Sequence, residues 1–275
     1  MRGLLKRVGI LYHPKIAAAK AFAEELAGYL PSLNAVVWLC SAWDEEDART
    51  QVGSTELIIS VGGDGTILRA ARAVAPQSIP IVGINLGRLG FMTELSIEEA
   101  RDKLAALLAG EGWVDERAML QAELAGKRTY HALNDVVLGR GTVSRVIYVE
   151  TTIDGTPLTT YKADGVIIAT ATGSTGYSLA AGGPILYPQS REILLNPISP
   201  HLTFANALVL PPTAIVELRV RTDHQAMLSI DGQINLALES GDTIRVSLSP
   251  HAARFLRAQP PAFFYSTLME RLVSK

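Results

Sequence analysis

The chain has one cysteine, Cys40, among its 275 residues. No intrachain disulfide and no cysteine-based metal cluster can form. Placed after the apolar run Val36-Val37-Trp38-Leu39, that thiol reads as a buried, inert core group. Charge of one sign is equally scarce. The 25 basic and 27 acidic residues nearly cancel, so no broad field attracts nucleic acid or anionic lipid. Aromatic residues make up 6 %, and no basic stretch is interleaved with them as in a single-strand-binding groove. No run of about 18 apolar residues is free of charge, so no membrane-spanning helix is expected. The apolar part of residues 1–7 is too short for a signal peptide. Walker A and complete G-x-G-x-x-G motifs are also missing. These absences leave a cytoplasmic globular protein with neither a nucleic-acid nor a membrane partner. With 48 % apolar residues it has a real core, and its length suits two modest domains.

What the chain does have is Ser60-Val61-Gly62-Gly63-Asp64-Gly65-Thr66, directly after Leu57-Ile58-Ile59. A buried strand enters a turn of three glycines. A helix leaves it, with Ile67, Leu68, Ala71, Val74 and Ala75 on one face. The glycines permit positive φ and let a phosphorylated ligand approach the backbone. The first helical turn offers unpaired N–H groups and a positive dipole end to an anion. Asp64 does not suit a site for phosphate alone, so it suggests work on a hydroxyl, a metal or both. The alternative is an ordinary strand-to-helix connection in which Asp64 is the N-cap.

The two halves differ in pattern. Up to about residue 117, apolar runs at 8–12, 35–39, 57–61 and 79–84 alternate with helical stretches at 16–30 and from Ser96 to about Leu108. Ser96-Ile97-Glu98-Glu99 has capping-box spacing. This alternation predicts an α/β N-terminal domain with a mostly parallel sheet. Beyond Arg117 the segments at 136–138, 146–152, 166–169, 207–210 and 215–220 are short and β-branched. Turns such as Asp154-Gly155, Asp164-Gly165 and Asp231-Gly232 divide them. That predicts an all-β, antiparallel, sandwich-like C-terminal domain. The expected division is 1–117 and 118–253, with a tail over 254–275 that ends in a helix and rejoins the first domain.

Residues 164–184 form a second constellation. Five hydroxyl side chains, Thr170, Thr172, Ser174, Thr175 and Ser178, crowd one loop with Tyr177. Such groups are costly if buried unpaired, so they are expected to face water or a polar ligand. A surface loop with capping serines is the alternative. Asn134-Asp135, at a strand end, is either an Asx turn or a grip on ribose hydroxyls.

Taken together these segments resemble the NAD kinase family, which moves the γ-phosphate of ATP to the 2′-hydroxyl of the adenosine ribose of NAD. The resemblance rests on Gly62-Gly63-Asp64-Gly65-Thr66, Asn134-Asp135, Asp164-Gly165, residues 172–178, Ala181-Gly182-Gly183-Pro184, residues 196–201 and Asp231-Gly232-Gln233. Only the first of these motifs is shared with lipid kinases and phosphofructokinases. The resemblance implies Asp64 as general base, Gly65 and Arg69 near the dinucleotide phosphates, and Asn134 and Asp135 on ribose hydroxyls. It places Arg145, Lys162 and Asp164 along the dinucleotide site. Thr175, Gly176, Tyr177, Ser178, Leu179 and Ala180 would wrap the adenosine end, and Gln233 would close the site. It further implies ATP with a divalent metal ion, Mg²⁺ for preference, and a homodimer or homotetramer. The chain departs from the family pattern at Asp135, where Glu is common, at Ala171 for Pro, at Gly176 for Ala, and at Ser199 for Cys. A proline lost and a glycine gained should loosen that loop. Two other activities are weighed: a lipid or sugar kinase of the same superfamily, and a sensor that binds NAD(P) without turnover.

Overall fold

The computed structural model describes residues 5–87, 90–124, 128–141, 145–201 and 204–273. The chain divides into two units, Met1–Glu116 with Ala253–Lys275, and Arg117–Ala252.

In the first unit, strands β1 (Arg7–Tyr12), β2 (Val36–Ser41), β3 (Leu57–Val61) and β4 (Pro80–Asn85) form a parallel sheet in the order β4-β3-β1-β2. β3 is buried at every residue, as a strand covered on both faces must be. Helix α1 (Ala17–Tyr29) packs Ala19, Phe22, Ala23 and Leu26 inward, and the chain then tightens into a 3₁₀ turn at Leu30–Leu33. Pro31 cannot donate to an α-helical ladder, which explains the change. A helix outside the sequence-based expectation, α2 (Glu45–Gln51), follows β2 and is capped by Asp44, whose side chain accepts from the Asp47 N–H. α3 (Asp64–Val74) follows β3. The short strand β5 (Leu95–Ser96) leads into α4 (Ile97–Leu108), which carries both halves of the expected capping box.

The second unit is antiparallel. Its strands run from β6 (Trp113–Leu124), β7 (Thr129–Ala132), β8 (Asp135–Arg140), β9 (Ile147–Ile153), β10 (Thr156–Ala163) and β11 (Gly165–Ala169) to β12 (Ile193–Ile198), β13 (Leu208–Leu210), β14 (Val216–Arg221), β15 (Ala226–Ile230), β16 (Ile234–Leu238) and β17 (Thr243–Arg257). One layer has the order β10-β9-β14-β17 and the other β13-β12-β11-β8-β15-β16. Side chains alternate by face. Val136, Leu138, Val166 and Ile168 enter a core shared by both layers, whereas Val137, Ile167 and Ala169 face the opposite way, against Ala181 and Leu186. The single-turn helix α5 (Tyr177–Ala180) lies between Ala169 and Leu186 in sequence.

The unit boundaries fall inside β6 and inside β17. In the first unit, Arg254 and Phe255 pair in parallel with Pro80 and Ile81, and Leu256 joins the apolar cluster of α1, α4 and the sheet. Helix α6 (Phe263–Val273) ends the described chain. No described helix is long and apolar enough to cross a membrane.

Candidate functional site

The parallel strands of the first unit end together, at the edge where open α/β sheets bind ligands. There β3 passes into the glycine turn and α3 begins. Gly63 is the N-cap and no side chain caps the helix, so the capping alternative for Asp64 fails. Asp64 is the first helical residue, and its carboxylate turns instead to the segment after β4. Oδ2 accepts the N–H of Phe91 (2.9 Å) and Oδ1 that of Met92 (3.1 Å). A Cβ on Gly90 would overlap the same carboxylate, so the approach requires glycine there. The Gly90 N–H donates to Thr93 Oγ1 (2.8 Å), which holds the turn closed. Each Asp64 oxygen keeps a further lone pair, and the positive end of α3 favours its charge.

Gly65 is exposed at the second helical position. Arg69, just over a turn along, lays its guanidinium on the Trp43 ring, 4.1 Å from the centroid. The His13 ring lies tilted against the same indole at 4.4 Å. Burial, then the neighbouring Arg72, lowers the Arg69 pKa, and the group stays a cation. His13 and Trp43 carry no motif. The available signal was their position, one residue after β1 and two after β2.

In the second unit the loop before β8 is organised by Asp231. Its Oδ1 accepts the N–H groups of Asn134 (2.7 Å) and Asp135 (3.1 Å), and its Oδ2 that of Leu133 (2.9 Å). Asp231 and Gly232 both have positive φ, 52° and 65°. Asp135 is 5 % exposed. Burial first, and the nearby Asp231 second, push its carboxyl up to about 7. Asn134 Oδ1 is buried with no hydrogen-bond partner, so Asn134 forms no Asx turn and its oxygen awaits a donor. Asn134, Asp135, Val137, Tyr177, Asp231 and Gly232 bound a cavity of about 380 Å³, within the range of nucleoside-sized ligands.

The hydroxyl-rich loop differs from expectation. Its hydroxyls are engaged within the protein. Thr170 Oγ1 donates to Leu133 O (2.6 Å), and Ser174 Oγ donates to Ala171 O (2.6 Å) and accepts from Leu186 N–H. Thr172 Oγ1 accepts from Arg117, Thr175 Oγ1 donates to Thr172 O, and Ser178 Oγ accepts from Asn196. The loop must pack so closely that a Cβ on Gly173 would overlap the Asn134 backbone. What it presents to the cavity is the Tyr177 ring, 49 % exposed. Gly176 sits beside it, where a Cβ would lie 3.8 Å from Asn134 Nδ2 and 4.0 Å from Asp135 Oδ2. Leu179 and Ala180 complete α5. Gln233 follows the Asp231-Gly232 turn and donates its N–H to Ile230 O.

Arg145 and Lys162 line a different cavity of about 690 Å³ in the same unit, with Tyr148, His201, Arg221 and His224. Arg145 Nη1 lies 2.5 Å from His224 Nε2, so the imidazole accepts there. Asp164 pairs with Arg140 at 3.2 Å. Most of the expected site residues thus fall into three clusters: Asp64, Gly65 and Arg69; the 134–135 and 175–180 cradle, with Gln233 after its Asp231-Gly232 turn; and Arg145 with Lys162, while Asp164 stands with Arg140. Among the described residues, no three His, Cys, Asp or Glu side chains converge as a metal site.

Residues 18–112 match the ATP-NAD kinase N-terminal domain, and residues 133–258 match the ATP-NAD kinase C-terminal domain. The chain belongs to the NAD kinase family. An NAD kinase of Dehalococcoides mccartyi is 50 % identical over 274 residues, covering 98 % of this chain and 96 % of the relative. An NAD kinase of Chloroflexus aurantiacus is 42 % identical over 273 residues, covering 98 % and 99 %. Among solved structures, yeast NADH kinase complexed with NADH is 27 % identical with a TM-score of 0.88, over 98 % of this chain and 88 % of that one. The NAD kinase from Archaeoglobus fulgidus in complex with ATP is 26 % identical with a TM-score of 0.80, over 98 % and 99 %. The α/β unit with its parallel sheet and the antiparallel β unit are the fold of NAD kinases.

Proposed function

We propose that this chain transfers the γ-phosphoryl group of ATP to the 2′-hydroxyl of the adenosine ribose of NAD, with Asp64 as general base. The observation that carries the reading is the Asp64 carboxylate, fixed by two backbone N–H groups with lone pairs to spare at a helix start. A ribose hydroxyl is a weak nucleophile, and a positioned base contributes roughly 10²–10⁴-fold. In the reaction the 2′-oxygen bonds to the γ-phosphorus as the bond to the leaving ADP oxygen breaks. The hydroxyl proton passes to Asp64 and then to solvent. Otherwise positioning and charge neutralisation dominate phosphoryl transfer.

Asn134 Oδ1 and the Asp135 carboxyl grip ribose hydroxyls, and the Tyr177 ring packs on the adenosine. The backbone of 175–180, Gly65, Arg69 and Gln233 complete the dinucleotide contacts, with Arg145 and Lys162 contributing from their own cluster and Asp164 from its pair with Arg140. The donor set suits a Mg²⁺ ion carried on the ATP phosphates, because no three His, Cys, Asp or Glu side chains converge among the described residues and Mg²⁺ commonly takes one or two carboxylates plus phosphates. Bound there, the ion would neutralise developing phosphate charge. The protein works in the cytoplasm as a homodimer or homotetramer.

The test is to incubate the protein with NAD, ATP and magnesium and to couple NADP formation to an NADP-specific dehydrogenase. NADP should form, and Asp64→Asn should lower its formation roughly 10²–10⁴-fold while NAD still binds. Phosphorylation of diacylglycerol in place of NAD would favour a lipid kinase, and NAD binding without turnover would favour a sensor.

A further inference from the structure

We infer that Arg257, near the end of the chain, is a positioning residue for Asp64, an assignment that rests on reading Asp64 as the base. Arg257 closes β17 and is 6 % exposed. Its Nη1 donates to the Met92 carbonyl at 2.8 Å and reaches Glu94 Oε2 at 3.1 Å. Its Nε reaches Asp115 Oδ2 at 3.1 Å. The Glu94 carboxylate is gripped from its other side, where Oε1 accepts the N–H groups of Ala258 and Gln259, both at 2.8 Å. The segment 92–94 is therefore clamped at its first and last residues by 257–259. Met92 is also one of the two residues whose N–H groups hold the Asp64 carboxylate.

The connection runs through one residue. The guanidinium fixes the Met92 carbonyl, and the Met92 N–H fixes Asp64 Oδ1. Thr93, fully buried between the clamped residues, leaves the segment no slack and supplies the hydroxyl that receives the Gly90 N–H. Arginine suits this role because its planar fork holds several acceptors in fixed directions, which a lysine ammonium cannot do. A buried group of one cation and two anions is a poor way to gain stability, since apolar residues of similar volume often serve as well or better. A geometric role accounts for it. Catalytic groups must be held within about 0.5 Å of productive geometry, and a displacement of about 1 Å can cost on the order of 100-fold in rate.

Arg257→Lys keeps a positive charge but loses the fork. A second variant, Arg257→Met with Glu94→Gln and Asp115→Asn, removes all three charges so that none is left buried alone. Both are compared with wild type by thermal melting and by kcat and KM for NAD and ATP. The expected result is kcat lowered roughly 10–100-fold in each, with both KM values within about twofold of wild type. Arg254→Ala, at an exposed pair with Glu116, should leave kcat unchanged. A folded variant of either kind with wild-type kcat, or with raised KM and unchanged kcat, overturns the inference. Asp64→Asn is measured alongside: normal turnover there would fail the base reading itself, whereas loss of turnover there with wild-type kcat in the Arg257 variants fails the positioning role alone.

Discussion

Asp64 at the head of α3 and Asp135 at the head of β8 are both carboxylates that open a secondary-structure element, and they are held in opposite ways. Asp64 is half-buried and takes a backbone N–H on each oxygen. Asp135 is nearly inaccessible, and its carboxyl finds no hydrogen-bond partner among the described residues; the backbone donors near it go to Asp231. One acid is aimed by two backbone donors, as proton abstraction needs. The other shares a dry corner with a second acid and so holds its proton to about pH 7, where it can donate to or accept from a hydroxyl. Residue type alone does not assign a role to either. The donors around each do.

The contrast can be broken most sharply at Asp64. Asp64→Asn should lower kcat roughly 10²–10⁴-fold while the NAD dissociation constant, followed by calorimetry, stays within a few-fold. Asp135→Asn should behave differently, appearing chiefly as a change in stability. The folded-state pKa is raised from 3.8 to about 7. The wild-type carboxyl therefore favours the folded state below about pH 4, and that contribution is lost as pH rises to 7. The asparagine variant escapes the loss, so its advantage should open between pH 4 and 7 and level off above, with a ceiling of about 4 kcal/mol. Urea midpoints at pH 4 and pH 8 measure it, and equal offsets at both would contradict it.

Asp231→Ala removes the acceptor of three backbone N–H groups and should cost about 3 kcal/mol at roughly 1 kcal/mol each. Asp231→Asn, which keeps one acceptor oxygen, should cost less in the same denaturation experiment. The smallest effect belongs to Trp43→Ala. Loss of a cation–π contact worth about 0.5–1 kcal/mol should raise nucleotide KM by roughly two- to fivefold with kcat held, and Trp43→Phe should recover part of it.

Elements governed by local rules were readable in the chain. β3 spans the expected 57–61, and Ser96 and Glu99 make the capping box their spacing implied. The change from strand–helix alternation to short β-branched segments near residue 117 carried the two-unit fold. Roles set by distant partners were not readable. Asp231 stands out in the sequence as half of an Asp-Gly turn and as part of the Asp231-Gly232-Gln233 motif, yet neither shows that its carboxylate anchors a loop nearly a hundred residues earlier. Nothing in the sequence marks residues 90–94, because the grip on Asp64 uses backbone N–H groups, which every sequence has. The 170–178 hydroxyls are costly to bury unpaired, and partners inside the protein meet that cost. His13 and Trp43 become neighbours of Arg69 only once three strands end together.

That internally bonded loop has a thermodynamic consequence. A binding surface whose hydroxyls already have partners has few rotors left to freeze when a ligand arrives, so association there carries a small conformational-entropy penalty. Selectivity then depends on the outline of the walls and the few unpaired atoms, Asn134 Oδ1 first among them. Removing a hydroxyl such as that of Ser178 would accordingly loosen the mould before it weakened any single contact with what fills it.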